Sequence, residues 1–181
     1  HVSCLNDSLV GALGAGYVRA FYRYVTNSDK EFVVMERNHD DRIVAAAVLS
    51  LEPATLNRRL LMQTPLLPRT LGRLPAVLAL LRSTARRSRR ASEGSGTYVP
   101  ATRPELILIF TSAEDRGKGL ASALILQIEH RLRALDVPVY EVRTVSDPAN
   151  PALSFYRGRA FVPAGHAFRL GTCFEVFTRS T

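Results

Sequence analysis

One short stretch of the chain combines glycines and basic side chains at the start of a predicted helix. From Thr111 to Ala121 the sequence is Thr-Ser-Ala-Glu-Asp-Arg-Gly-Lys-Gly-Leu-Ala, and it follows an apolar run. The first amides of a helix attract anions, glycines let a phosphate approach the backbone, and Arg116 and Lys118 add positive charge. The spacing matches neither a Walker loop nor the Gly-x-Gly-x-x-Gly dinucleotide pattern. These residues predict a pyrophosphate-binding turn, and an ordinary glycine-rich turn is the alternative.

Two motifs in the second half of the chain resemble those of the GNAT superfamily of N-acetyltransferases. The family pattern Arg/Gln-x-x-Gly-x-Gly/Ala is matched by residues 116–121 through their arginine, second glycine and final alanine. The family's Tyr-x-x-x-Gly-Phe is matched from Tyr156 to Phe161, with Ala160 in place of the glycine. The resemblance covers about residues 105–161. It implies a protein that binds acetyl-CoA as co-substrate and transfers its acetyl group directly to an amine.

The resemblance also implies coenzyme contacts. Two central strands of the family fold splay apart, so that the pantetheine arm lies between them and a backbone amide near Phe110 or Thr111 binds the acetyl oxygen. The implied coenzyme-binding residues are Ile109, Phe110, Thr111, Arg116, Gly117, Lys118, Gly119, Leu120, Ala121, Asn150 and Ser154. Asn150 matches imperfectly, because it lies six residues before Tyr156 where the family has seven. Helix capping is the alternative role for Asn150, and a solvent-facing position is the alternative for Ser154.

Four side chains are candidates for proton transfer. The resemblance makes Tyr156 the proton donor to the departing thiolate, a role that suits a phenol because its ordinary pKa of about 10 keeps it protonated at neutral pH. A helix-face aromatic is the alternative. An amine acceptor must lose a proton, and Glu105 and Glu141 are the candidate bases because they interrupt otherwise apolar strands. An ion pair of Glu141 with Arg143 is the alternative, and His166 is a further candidate base.

The elements that must position these groups follow from apolar periodicity. The pattern predicts helices over residues 7–25, 116–135 and 151–159, and strands over 31–36, 42–51, 106–111, 138–145, 161–170 and 173–179. The run at 106–111 is apolar enough to predict a strand buried on both faces. Together with the resemblance, this order predicts an α/β (α+β) fold with a mixed, mostly antiparallel sheet, splayed central parallel strands and flanking helices.

The segment at about 53–103 differs in composition, because it carries ten arginines against one acid, Glu93. We predict a helical, arginine-rich insertion within a single GNAT-like domain that covers residues 1–181. Its arginines suit an anionic acceptor such as a nucleotide-linked amino sugar. A solvated basic surface and peripheral membrane contact through residues 71–90 are the alternatives. A nucleic-acid partner is disfavoured, since few aromatic residues stand among the arginines.

The remaining composition narrows the function classes. No apolar run reaches the length of a membrane-spanning helix, and Cys4 and Cys173 lie far apart without metal-ligand spacing. We therefore expect a cytoplasmic protein without a metal site. The sequence is compatible with a homodimer. The leading hypothesis is an N-acetyltransferase acting on a small-molecule amine or amino sugar. The alternative is a non-catalytic module that keeps the fold and uses its basic insertion to hold a partner or a membrane.

Overall fold

The computed structural model describes residues 15–63, 102–169 and 172–181, apart from the side chains of residues 61, 63 and 169. In chain order the elements are helix α1 (Ala15–Thr26), strands β1 (Glu31–Arg37) and β2 (Ile43–Ser50), helix α2 (Pro53–Gln63), strand β3 (Glu105–Thr111), a 3₁₀ turn (Ala113–Asp115), helix α3 (Leu120–Ala134), strand β4 (Val139–Val145), helix α4 (Pro151–Arg157), and strands β5 (Val162–Arg169) and β6 (Thr172–Ser180).

The strands form one six-stranded sheet in the order β1-β2-β3-β4-β6-β5. Four of the five strand pairs are antiparallel, and β3 with β4 is the parallel pair. This parallel pair needs a crossover, which α3 provides. The predicted fold class, a mixed and mostly antiparallel sheet with helices packed against it, is confirmed.

Helices cover both faces of the sheet, and each face has its own apolar core. On one face, which we call the α3 face, α3 and α4 pack on alternate residues of β2, β4 and β6, including Tyr140, Val142 and Phe177. On the other, the α1 face, α1 and α2 pack on Val48 and on Ile107 and Leu108. Since side chains alternate along a strand, Glu105 and Glu141, which neighbour α3-face residues in sequence, belong to the α1 face.

Two ion pairs join α3 and α4 to strand β6. Glu129 of α3 is buried and contacts Arg179 of β6, with Nε and Oε1 2.6 Å apart. It also accepts a hydrogen bond of 3.1 Å from the Tyr140 hydroxyl. Arg157 of α4 donates to both carboxylate oxygens of Glu175 at 2.9 Å. These pairs fix the positions of the two helices that flank the parallel strands.

Three predicted details differ from the structure. Helix 116–135 begins only at Leu120, because Gly117 and Gly119 both have a φ of 80° and cannot continue a right-handed helix. It ends at Ala134, one residue before the predicted end, and Leu135 is exposed. In β3 only Leu106 is buried and residues 107–111 are half-buried, so the prediction of a strand buried on both faces is wrong; β3 loses its partner on one side, as shown below.

Some predictions fall partly or wholly on residues outside the description. The first half of helix 7–25 lies there, as does the segment 64–101 with most of the predicted insertion. The insertion does begin with a helix, α2. No helix in the described ranges is long and apolar enough to cross a membrane. Within the same ranges, no group of three or more His, Cys, Asp or Glu side chains is placed to hold a metal ion.

Candidate active site

The two central strands of the sheet separate partway along their length. β3 pairs with β4 only through Glu105 with Glu141 and Leu106 with Val142. Past these pairs, β3 continues to pair with β2 as far as Thr111, and β4 continues to pair with β6 as far as Val145. A gap therefore opens between the carboxyl halves of β3 and β4, and its mouth lies at the sheet edge where the loop to α3 begins.

A β-bulge decides which amides of β3 face this gap. Val48 pairs with Leu108 and Leu49 with Leu106, which leaves Ile107 as the extra residue. Beyond the bulge, the Ser112 amide donates to the Val44 carbonyl at 2.7 Å, so this pair is hydrogen-bonded. Bonded and non-bonded pairs alternate along an antiparallel ladder.

This alternation gives each amide of the predicted coenzyme edge a direction. Phe110, two residues before Ser112, directs its backbone groups towards β2. Ile109 and Thr111 direct theirs to the opposite side, into the gap. Of the two predicted sources of an oxyanion-binding amide, Thr111 therefore faces the gap and Phe110 does not.

The predicted phosphate cradle lies at the amino end of α3. Gly119 is the N-cap in the left-handed region, and no side chain caps the helix there. The Ala123 amide bonds to the Gly119 carbonyl, so the preceding amides of the first turn, from Gly119 to Ser122, have no acceptor within the helix. A Cβ added at Gly117 or Gly119 meets nothing within 4 Å, so the backbone conformation, and not crowding, requires glycine.

Of the two basic side chains of the cradle, Lys118 is paired with an acid. Arg116 and Lys118 are both exposed. The Lys118 ammonium lies 2.7 Å from the Asp115 carboxylate, and the Ser112 hydroxyl donates to the same group. The Lys118 ammonium, followed by the Ser112 hydroxyl, holds the pKa of Asp115 below its ordinary value. Sequence analysis missed this contact, and the i, i+3 rule for helices does not reveal it, because Arg116 is extended and Gly117 is left-handed.

Tyr156 lies inside the α3-face core. Its ring makes edge contacts with Phe155 and Phe161, with centroids 5.3 and 5.1 Å away, and a tilted contact with Phe177 at 5.8 Å. Among the residues that the structure describes, no side chain or carbonyl forms a hydrogen bond with its hydroxyl. Burial raises the pKa of Tyr156 above its ordinary value, so the phenol keeps its proton at neutral pH.

The two remaining predicted residues of α4 act in its first turn. Asn150 caps the helix: its side-chain oxygen accepts from the Ala152 amide at 3.1 Å. Its side-chain nitrogen donates to the Thr144 hydroxyl at 2.9 Å and to the Val145 carbonyl at 2.8 Å. The alternative role as a cap is thus observed, and it ties α4 to the end of β4. Ser154 is exposed and donates to the Pro151 carbonyl.

The two candidate bases meet where β3 and β4 separate. Glu141 is buried, and Arg143 donates to its carboxylate from Nη2 at 2.7 Å and from Nε at 3.1 Å. The same guanidinium lies 3.8 Å from the carboxylate of Glu105. Glu105 and Glu141 are also direct partners in the parallel ladder. His166 does not belong to this group, since it is exposed on β5, at the sheet edge beyond β6.

Comparison with known proteins gives a consistent result. A family model described as Acetyltransferase (GNAT) family matches residues 4–161. One similar solved structure is that of NAA60 from Arabidopsis thaliana in complex with a bisubstrate analogue, with a TM-score of 0.57 and 12% identity over 97% of this chain and 87% of that one. No curated protein matches the chain.

Two further solved structures have the same fold. A Bacillus anthracis protein described as a streptothricin acetyltransferase, in complex with acetyl coenzyme A, has a TM-score of 0.54 and 13% identity over 88% of this chain and 68% of that one. Spermidine/spermine N-acetyltransferase SpeG from Vibrio cholerae has a TM-score of 0.51 and 13% identity over 91% of this chain and 74% of that one. At such identities the likeness concerns the fold alone, whereas the family model matches most of the sequence. The chain therefore belongs to the acetyltransferase (GNAT) family.

Proposed function

We propose that this protein transfers the acetyl group of acetyl-CoA to a primary amine, by direct attack within a ternary complex. The observation that carries the proposal is the gap between β3 and β4, which has amides of Ile109 and Thr111 along one wall and the helix terminus of Gly119 at its mouth. Family membership supports acetyl transfer to amines as the class of reaction. The charges around the gap favour particular classes of acceptor amine.

The described residues offer binding groups for the pyrophosphate, the pantetheine arm and the acetyl oxygen of the coenzyme. The pyrophosphate suits the first turn of α3, where amides without helical acceptors, the helix dipole and the exposed Arg116 and Lys118 favour an anion. The pantetheine arm carries amide groups and suits the edge of β3 at Ile109 and Thr111. The Thr111 amide is the proposed donor to the acetyl oxygen, because it points into the gap and Phe110 does not.

Tyr156 is the proposed proton donor. As the amine nitrogen attacks the thioester carbon, the new C–N bond forms and the C–S bond breaks, so the leaving thiolate needs a proton. The Tyr156 hydroxyl is buried with its pKa raised, and no group in the described residues accepts its hydrogen bond. A buried hydroxyl is ordinarily hydrogen-bonded, so a ligand sulfur is a suitable partner for this one.

The proposed base lies on the opposite face of the sheet from the acid. Tyr156 belongs to the α3 face, while Glu105 and Glu141 belong to the α1 face. The gap between β3 and β4 joins the two faces. A coenzyme approaching from the α3 face can thus meet an amine approaching from the α1 face, where a carboxylate, directly or through water, takes the proton of the ammonium.

A small-molecule amine or an amino sugar is the proposed acceptor. Two carboxylates and one guanidinium at the narrow end of the gap leave an excess of negative charge, which favours a cationic amine there. The arginines of the insertion remain the proposed contact for an anionic part of the acceptor. Arg59 does not share that role, because it is paired with the buried Glu31.

The test is an assay of thiol release from acetyl-CoA with a panel of primary amines. Turnover with any amine, together with a loss of rate in Tyr156→Phe, supports the proposal. Coenzyme binding without turnover on any amine supports the non-catalytic alternative, in which the basic insertion holds a partner or a membrane. For the membrane form of that alternative, the readout is salt-sensitive co-sedimentation with anionic liposomes.

A further inference from the structure

Arg159 differs from the other half-buried arginines in the described part of the chain. Each of the others has a carboxylate within ion-pair distance: Arg59 has Glu31, Arg143 has Glu141, and Arg179 has Glu129. Arg159 has none among the described residues, although it is equally half-buried. Removing a guanidinium from water without a counter-charge costs free energy. The position therefore favours an anion that the described residues do not supply.

Contacts on two sides hold the Arg159 side chain in place. Its Nε donates to the Ser122 hydroxyl at 2.7 Å, and its guanidinium carbon lies 4.1 Å from the centre of the Phe155 ring. Its Nη1 makes a long contact of 3.5 Å with the Phe155 carbonyl. A guanidinium has five N–H donors, so these contacts leave donors for a ligand. Because the side chain is already ordered, ligand binding costs it little conformational entropy.

The guanidinium lies beside the proposed pyrophosphate site. Ser122 is the third residue of α3, and its own amide belongs to the first turn that forms the cradle. Arg159 and Ser122 line a groove of about 370 Å³ between α3 and the end of α4, together with Ile125, Leu126, Gly158 and Arg179. The charge of Arg179 is compensated by Glu129 at 2.6 Å. Arg159 is thus the uncompensated charge of this groove.

Coenzyme A carries an anion that matches this position. Its ribose 3′-phosphate is separated from the pyrophosphate by a single ribose, so it must lie close to the cradle when the pyrophosphate is bound there. A guanidinium suits a phosphate well, because its planar fork can donate two parallel hydrogen bonds. An anionic acceptor fits less well, since the proposed amine site is on the α1 face and Arg159 follows α4 on the α3 face.

We propose that Arg159 binds the 3′-phosphate of coenzyme A and so makes the protein select this coenzyme over its 3′-dephospho form. The inference rests on the proposed coenzyme site at α3. Ser122 and the ring of Phe155 are positioning residues in this assignment, because they hold the guanidinium.

The test is isothermal titration calorimetry with coenzyme A and with 3′-dephospho-coenzyme A. The wild-type protein binds coenzyme A about tenfold more tightly, as expected for a charge-assisted contact to a phosphate. Arg159→Gln lowers this ratio to about one, mainly by weakening the binding of coenzyme A. Arg159→Lys keeps the charge but loses the planar fork, so its ratio lies between the two. The wild-type ratio also falls as salt is added, because the contact is electrostatic.

Arg131→Gln is the matched control. Arg131 also lies over an aromatic ring, that of Phe32 at 5.0 Å, but it is near the other end of α3. Its variant keeps the wild-type ratio. If the wild-type protein binds both ligands equally, or if Arg159→Gln and Arg159→Lys both keep the wild-type ratio, the inference is wrong and the proposed function stands. If neither ligand binds the wild-type protein, the coenzyme site falls and the inference falls with it.

Discussion

Strands β2 and β3 are neighbours of similar apolar composition, yet they are buried to different extents. In β2 every residue from Val44 to Ser50 is buried. In β3 only Leu106 is buried, and the five residues that follow are half-buried. The cause lies in their partners: β2 is paired along both edges, whereas β3 has lost β4 over the same five residues. An apolar strand without a partner along one edge needs another group to cover it, and in the proposed function that group is the coenzyme.

Two polar clusters on the α1 face also differ in whether the gap between β3 and β4 lies beside them. Glu31 at the start of β1 is buried and satisfied by Arg59 of α2 and by the hydroxyls of Ser28 and Ser50. Glu105 and Glu141 meet beside the gap and share one guanidinium. The first cluster joins three elements and the loop before β1, and it serves stability. The second borders the gap, and in the proposed function one of its carboxylates is the base, so substitutions in the two regions should have different readouts.

The largest expected effect is on stability, at the cluster around Glu31. Glu31→Ala removes the buried carboxylate that binds both Arg59 and the buried Ser50, which costs about 3 kcal/mol of unfolding free energy. Urea denaturation measures it. The control is Glu52→Gln, which removes an exposed acid from the same arginine and costs less than about 1 kcal/mol. Equal losses in the two variants would show that the burial of Glu31 does not determine how much it contributes to stability.

The next effect is on rate, at the proposed proton donor. Tyr156→Phe lowers kcat about a hundredfold, because it removes the proposed proton donor. Stability stays unchanged or rises, since the hydroxyl that is lost has no partner among the described residues. Because burial raises the pKa of Tyr156, ionisation of this group causes no fall in the wild-type rate below about pH 10.

Tyr140→Phe is the control for this experiment, since Tyr140 is equally buried on the same face. Its hydroxyl donates to Glu129, so its loss costs about 1 kcal/mol of stability and leaves the rate per folded molecule unchanged. Equal rates for Tyr156→Phe and the wild-type protein would contradict the assigned role of Tyr156.

A smaller effect, on both stability and binding, is expected at the cradle. Gly119→Ala forces a Cβ into a backbone with a φ of 80° and costs about 1 kcal/mol of stability. It also weakens coenzyme binding in calorimetry, since the methyl group projects from the N-cap. Gly16→Ala in α1 is the control, because there alanine is favoured over glycine by up to about 1 kcal/mol. If coenzyme binding is unchanged by Gly119→Ala, the cradle is in the wrong place.

Sequence patterns predicted the elements better than their exposure. The strands at 31–36 and 42–51 were predicted correctly because their apolar pattern is a local signal, and the structure has β1 and β2 there. The burial of β3 was mispredicted because an apolar run indicates only that its residues are to be shielded from water. It does not indicate whether a neighbouring strand or a ligand shields them. That depends on the pairing of β3 with β4, a long-range property.

The candidate site was predictable where local conformation or a family motif defines it. Gly117 and Gly119 have positive φ values, which glycine spacing can indicate. The bulge at Ile107 has no such signal, since isoleucine is an ordinary strand residue, and without the bulge the direction of the Thr111 amide could not be predicted. Arg159 was not predicted either, because the absence of a carboxylate beside it among the described residues is visible only in three dimensions.

The smallest expected effect is a gain in stability at Ala160. This residue occupies the glycine position of the family motif and has a φ of 57°, a left-handed conformation that costs a residue with a Cβ about 1 kcal/mol or more. Ala160→Gly relieves that strain but adds entropy to the unfolded chain, so the net gain in unfolding free energy is about 0.5 kcal/mol. Thermal and urea denaturation measure it.

Ala134→Gly makes the same chemical change at the end of α3 and is expected to lose about 0.5 kcal/mol, since glycine is a poorer helix former. Opposite signs for the two variants would show that the alanine at the motif position is strained in the folded protein. Ala160 is exposed and lies beyond the end of α4, so the substitution leaves the gap between β3 and β4 intact. With saturating coenzyme, acetyl transfer by Ala160→Gly should therefore match the wild-type rate, and a changed rate would show that the conformation of Ala160 affects catalysis as well as stability.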